Sequence, residues 1–181
     1  MKHRAARCFF TLAAIAAAFT VVVPATQATD QPLPPTVTQT RTLPNGYSVS
    51  ITVGQDQQPA TSTNTLSCGS MSAYGQMHYV NPYGVTLWTY RQQVGWNFCN
   101  YTVTGVWSLF DQPVDTCCYW SWAGNVTRSH TPVGGANITT YTQGHFHACI
   151  PLPVNVCMDK YPWISLRVNG NGNLTGFWWG T

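Results

Sequence analysis

The chain is 181 residues long with a formal charge of +3, 7% charged residues, 13% aromatics and eight Trp; its five acids are all Asp. One domain is expected from roughly 100–200 residues per domain. So neutral a composition excludes a strongly basic nucleic-acid binder, an acidic calcium sponge and a charge-driven disordered chain.

Lys2, His3, Arg4 and Arg7 precede an apolar run from Cys8 to Val23, followed by Pro24-Ala25-Thr26-Gln27-Ala28. A positive start, a short apolar core and small residues at a cut form the plan of a signal peptide. Cleavage is expected after Ala28, with Ala25 as the alternative, so residues 1–28 are read as a signal and the mature protein as secreted. The apolar run is short for a membrane span of about 20 residues, and no later segment could cross a bilayer. Beyond residue 28, Arg41, Arg91, Arg128, Lys160 and Arg167 balance the five Asp. The whole-chain charge therefore gives no argument for an anionic partner.

Residues 29–35 are a polar, Pro-rich lead-in, expected to be flexible, and residues 36–181 are read as a single β domain. Thr36 to Leu43, a turn at Pro44-Asn45-Gly46, and Tyr47 to Val53 predict a hairpin, the return strand with clear period two. Gly54 to Asn64 reads as a long polar loop. From Tyr74 onward the pattern is strand-like, with Val85–Tyr90 and Tyr101–Trp107 rich in β-branched and aromatic residues. Asn81-Pro82-Tyr83-Gly84 and Asp111-Gln112-Pro113 read as punctuation between strands. Further strands are expected within Cys117–Arg128 and Asn137–Ile150, and a closing hairpin pairs Trp163–Val168 with Leu174–Trp179 across Asn169–Asn173. No window has helical periodicity. The expected fold is all-β, a disulfide-stabilised antiparallel β-sandwich of about eight strands.

Six cysteines follow the signal: Cys68, Cys99, Cys117, Cys118, Cys149 and Cys157. An even number in a secreted chain reads as three disulfides, with fifteen possible pairings. Cys149 and Cys157 flank a Pro-containing loop and are the favoured pair. Cys117 and Cys118 would point to opposite faces of a strand and reach Cys68 and Cys99 separately, a bond between neighbours being strained. A zinc–thiolate site is disfavoured, because no C-x-x-C pair occurs.

Chemistry-bearing residues are few. His145-Phe146-His147-Ala148-Cys149 would set two imidazoles side by side on one face of a strand, a geometry that suits a metal ion. The third ligand would come from His78, His130 or an Asp. The plainer reading puts Phe146, Ala148 and Ile150 in the core and the two His in solvent. Asp111 and Asp115 form the one close acid pair available as general acid and base, but they read more simply as a polar turn. No nucleophile elbow is present, and six pairing cysteines leave no free thiol. Four glycosylation sequons, at Asn100, Asn125, Asn137 and Asn173, fit a chain rich in Asn and Thr.

The aromatics are the global feature, too many for every ring to be core. Trp88 with Tyr90, and Trp120 with Trp122, would share strand faces; of Trp178 and Trp179, one should face out. Trp88, Tyr90, Trp120, Trp122 and Trp178 are therefore candidates for a face that stacks on a polysaccharide or an extracellular protein. The alternative is that these rings fill the core.

The Ala-rich leader, the scarcity of Lys and Glu, and the stretches Leu87–Trp96 and Tyr161-Pro162-Trp163-Ile164 resemble small secreted proteins of actinobacteria that carry no assigned activity. The resemblance implies the compartment and no site residues. The expectation is a secreted, monomeric, non-catalytic binding protein without a cofactor, outside the cell or at the cell wall. Its rivals are a metal-binding protein or hydrolase using His145 and His147, and a secreted effector or inhibitor.

Overall fold

A computed structural model describes residues 36–56, 68–150 and 156–181. The expected signal peptide, the lead-in, most of the polar loop after Gly54 and the Pro-containing loop between Cys149 and Cys157 lie outside the described residues. Among the described residues ten strands are present: β1 (Thr36–Thr42), β2 (Ser48–Asp56), β3 (Cys68–Val80), β4 (Thr86–Cys99), β5 (Thr102–Thr116), β6 (Trp120–His130), β7 (Asn137–Ile150), β8 (Val156–Lys160), β9 (Trp163–Asn169) and β10 (Leu174–Gly180).

These strands form two antiparallel sheets. The first is a meander, β1-β2-β3-β4-β5; the second runs β10-β9-β7-β6, with β8 paired to β7. The all-β expectation holds, with ten strands in place of about eight. The extra length comes from β3, which begins at Cys68, and from β8, which lies beyond the disulfide loop. β8 and β9 lie end to end along one edge of β7: β8 pairs with Phe146–Ile150 and β9 with Asn137–Gln143. Pro162 bends the chain between them, and the Gly144 amide still donates to its carbonyl at 2.9 Å.

The sheets bury the faces that alternation supplies. Val49, Ile51 and Val53 of β2 point inward against Ile138, Phe146 and Ala148 of β7 and Ile164, Leu166 and Val168 of β9. Aromatic rings carry the contact between layers. Tyr79 stacks on Trp88 at 5.1 Å between centroids, and Trp88 stacks on Phe146 of the other sheet at 4.7 Å.

A polar clamp sits within this core. The Asp111 carboxylate is wholly buried and takes two hydrogen bonds at Oδ1 from Arg128, at 2.9 and 2.8 Å. The Tyr90 hydroxyl donates to Asp111 Oδ2 at 2.9 Å and lies 2.8 Å from Thr142 Oγ1. The Asn125 amide completes the set, donating to Asp111 Oδ2 and accepting from Arg128. Burial first, and then the Asp111 charge, push the Tyr90 phenol far above its ordinary range.

Two expectations are corrected here. Asp111 to Asp115 is not a turn: β5 continues through it, and Pro113 is tolerated because β5 is a sheet edge. Asp111 is buried and paired with Arg128 while Asp115 is exposed, so they do not form an acid–base pair. The cysteines pair as Cys68–Cys99, Cys117–Cys118 and Cys149–Cys157. The favoured third pair is present, but Cys117 and Cys118 bond to each other. The reason is local: Cys118 and Tyr119 are the central residues of a two-residue turn, both with positive φ, closed by Trp120 N–H to the Cys117 carbonyl. Cys118 is therefore not on a strand, and the opposite-face argument does not apply. Cys68 and Cys99 stand directly opposite each other on β3 and β4.

Candidate metal centre

The aromatic residues expected to form an exposed face are mostly interior. Trp88 and Tyr90 are fully buried, and Trp120 is buried against Tyr79. Trp122 is half-buried, stacked on Tyr90 and laid over Gly144. Trp178 is half-buried on β10, whose neighbouring Trp179 packs on the core and donates to Gln39. Rings that share a strand face do so here on the inward face.

The His pair has the opposite fate. Even-numbered residues of β7 from Ile138 to Ala148 are buried, which leaves His145 and His147 on the outer face. The neighbouring edge strand decides what they meet. Cys149 pairs with Cys157 and the strands run antiparallel, so His147 stands opposite Asp159. The result is a ladder on one face: a disulfide, a His–carboxylate pair, and His145 stacked on Tyr161 at 4.6 Å with 13° between planes.

Both imidazoles converge on one atom. His145 Nε2 lies 2.6 Å and His147 Nδ1 2.9 Å from Asp159 Oδ1. Their side chains are 27% and 39% exposed and that of Asp159 is 44% exposed, so solvent reaches the cluster. Hydrogen bonds from His145 and then His147 hold the Asp159 carboxyl below its ordinary range. The carboxylate thus sits between two imidazole nitrogens.

These three donor atoms lie within 4.8 Å of one another. Metal–nitrogen and metal–oxygen bonds of about 2.0–2.2 Å at tetrahedral angles place ligand atoms roughly 3.3 Å apart. The two His–Asp contacts need to open by roughly half an ångström to admit an ion. Two imidazoles and a carboxylate suit a borderline divalent cation and leave coordination positions open to solvent. Tyr161 fixes the ring of His145, and the Cys149–Cys157 bridge fixes the register that brings Asp159 across.

His78 and His130 do not contribute. His78 is on the outer face of the other sheet, bonded to Thr89 and Gln76, and burial lowers its pKa. His130, on β6, bonds the Thr131 carbonyl. The third donor beside the His pair is Asp159, from the remaining alternative. Tyr161 was not foreseen as part of the site, although the favoured disulfide sets a register that leads to it.

Comparison of the chain with protein-family models, with curated proteins and with solved structures finds no match.

Proposed function

We propose that the mature protein is an extracellular metal-binding protein whose site is His145, His147 and Asp159. The observation that carries this reading is the convergence of two imidazole nitrogens on one carboxylate oxygen. Secretion is supported by the signal-like leader and by three disulfides, which persist in oxidising compartments.

Calorimetric titration of the metal-free, oxidised protein with Zn²⁺, Ni²⁺ or Cu²⁺ tests it. One ion per chain is expected. His147→Ala should weaken binding by more than about 100-fold, beyond the range for loss of an outer-shell group. Affinity should fall on acidification, because imidazole binds a metal only when neutral. Equal binding by the wild type and a His145→Ala/His147→Ala variant would refute the reading.

A second reading rests on Trp107. Its ring lies over Gly95 on the outer face of the β1–β5 sheet and is 55% exposed. Gln93 and Asn97 share that face of β4, and Arg91 covers the Tyr74 ring nearby. A flat aromatic platform edged by uncharged amides suits a neutral polysaccharide. Quenching of tryptophan fluorescence should then be relieved by one such polymer, and Trp107→Ala should abolish that protection, since Trp88 and Trp96 are buried and silent. Protection that persists in Trp107→Ala would remove this reading.

A further inference from the structure

His147 faces two donor sets, one through each ring nitrogen. Nδ1 meets Asp159, while Nε2 lies 2.9 Å from Cys149 Sγ. The atoms His147 Nε2, Cys149 Sγ and Cys157 Sγ lie within 4.8 Å of one another. A disulfide sulfur carries no proton and is a weak acceptor, so Nε2 has no strong partner while the bridge is intact.

The tautomer sharpens this. When His147 donates Nδ1–H to Asp159, Nε2 is the nitrogen with the lone pair, and it points at the bridge. Carboxylate, imidazole and then an ion at the far nitrogen is the arrangement in which an outer carboxylate orients a metal-binding histidine.

We propose that the Cys149–Cys157 disulfide gates a second, thiolate-rich metal site made of His147 Nε2, Cys149 and Cys157. A dithiol reductant transfers two electrons and two protons to the bridge; the S–S bond breaks, two thiols form, and the reductant becomes a disulfide. Binding of the ion then releases both thiol protons to solvent, giving one nitrogen and two sulfur ligands. That set selects Zn²⁺ or Cu⁺ over harder ions. Cys157 is exposed, so a reductant reaches it. The β7–β8 ladder on both sides of the cysteines keeps them opposite each other, with Cα atoms 4.1 Å apart.

The two sites exclude one another, because the first takes the Nδ1 lone pair of His147 and the second the Nε2 lone pair. Asp159 is a ligand in the first and a positioning residue in the second. Among the described residues, neither of the other two disulfides belongs to such a donor group. The proposal deepens the metal-binding reading and shares His147 with it, but does not need His145.

Cobalt(II) absorption distinguishes the sites, because thiolate ligands give charge-transfer bands in the near ultraviolet and imidazole–carboxylate ligands do not. The protein is titrated with Co²⁺ oxidised, and again after reduction by a dithiol and anaerobic desalting. Reduced wild type is expected to show the thiolate bands and oxidised wild type to lack them. His145→Ala should lose binding in the oxidised form alone. His147→Ala should lose the bands after reduction, and Asp159→Asn should keep them with affinity lowered about 10–100-fold. A variant retaining Cys149 and Cys157 as its only mature cysteines should reproduce the reduced wild type.

Absent bands after reduction would overturn the proposal, as would bands that survive Cys149→Ser/Cys157→Ser or His147→Ala. Loss of the β-sheet circular-dichroism signal on reduction would also overturn it, since the donor set needs the ladder. Failure of the oxidised protein alone to bind Co²⁺ would refute the histidine–carboxylate site and leave the thiolate site standing.

Discussion

Gly170→Ala is expected to lower stability by about 3 kcal/mol, which in a protein of this size lowers Tm by roughly 6–12 °C. Gly170 follows β9 and forms a lone β-bridge with Tyr101, in the turn between β4 and β5. That bridge joins backbone of one sheet to backbone of the other. A Cβ on Gly170 would stand 2.1 Å from the Tyr101 carbonyl carbon and 2.3 Å from the Thr102 nitrogen. No rotamer change relieves a clash with main chain. Asn100 and Tyr101 are both already held at positive φ, and Val103 exchanges backbone hydrogen bonds with Gly134 and Gly135, so the neighbouring chain has little room to yield. Gly84→Ala is the control. It also sits at positive φ but has open space around it, so it should cost about 1 kcal/mol for the left-handed conformation alone. Thermal and chemical unfolding measure both; a small loss for Gly170→Ala would mean that the two sheets slide apart more easily than the bridge implies.

Asp111→Ala is expected to cost about 2–4 kcal/mol, measured by the same unfolding curves. The substitution strips Arg128 of its counter-charge and leaves the buried Tyr90 hydroxyl with Thr142 as its remaining partner in the clamp. Arg128 is 38% exposed, so water recovers part of the lost charge interaction and keeps the cost below that of a fully enclosed pair. Asp111→Asn should cost less, because an amide of the same shape still offers an oxygen to Tyr90. An Ala variant as stable as wild type would show that water replaces the carboxylate.

Most of the fold was legible because strands leave a two-residue signature, which Tyr47–Val53 carries without interruption, and because β-branched and aromatic residues mark strands such as Asn137–Ile150. Strand lengths and the number of strands were less so. Asp111-Gln112-Pro113 carries turn residues, yet the chain stays extended there because an edge strand needs no amide at Pro113 and because Asp111 has a cation to bury against. The His pair was visible as a motif, and its plainer reading was right that Phe146 and Ala148 point inward, whereas Ile150 at the strand end is only half-buried and outside the core. Its completion by Asp159 depends on strand register. Register is a tertiary property, but the Cys149–Cys157 pair encodes it, since each two-residue step up β7 is a two-residue step down β8. The aromatics misled for a different reason. Composition counts rings but not the places where a ring can lie.

Some of those places are the ring stacks of the core, and others are glycines. Tyr74 lies over Gly54, Phe98 over Gly69 and Trp163 over Gly180, each glycine directly opposite its ring on the next strand, and a Cβ there would come within 2.9 Å of the ring. Trp122 over Gly144 and Trp107 over Gly95 repeat the device. The two members of such a couple cannot change independently in descent. A side chain on the glycine evicts the ring, and a small residue in place of the ring leaves bare main chain on a strand that gains nothing from glycine. Glycine and aromatic therefore form one inherited unit spread over two strands. A lineage that lost one is expected to lose or refill the other, and sequences drifting from this one should change at these positions in pairs.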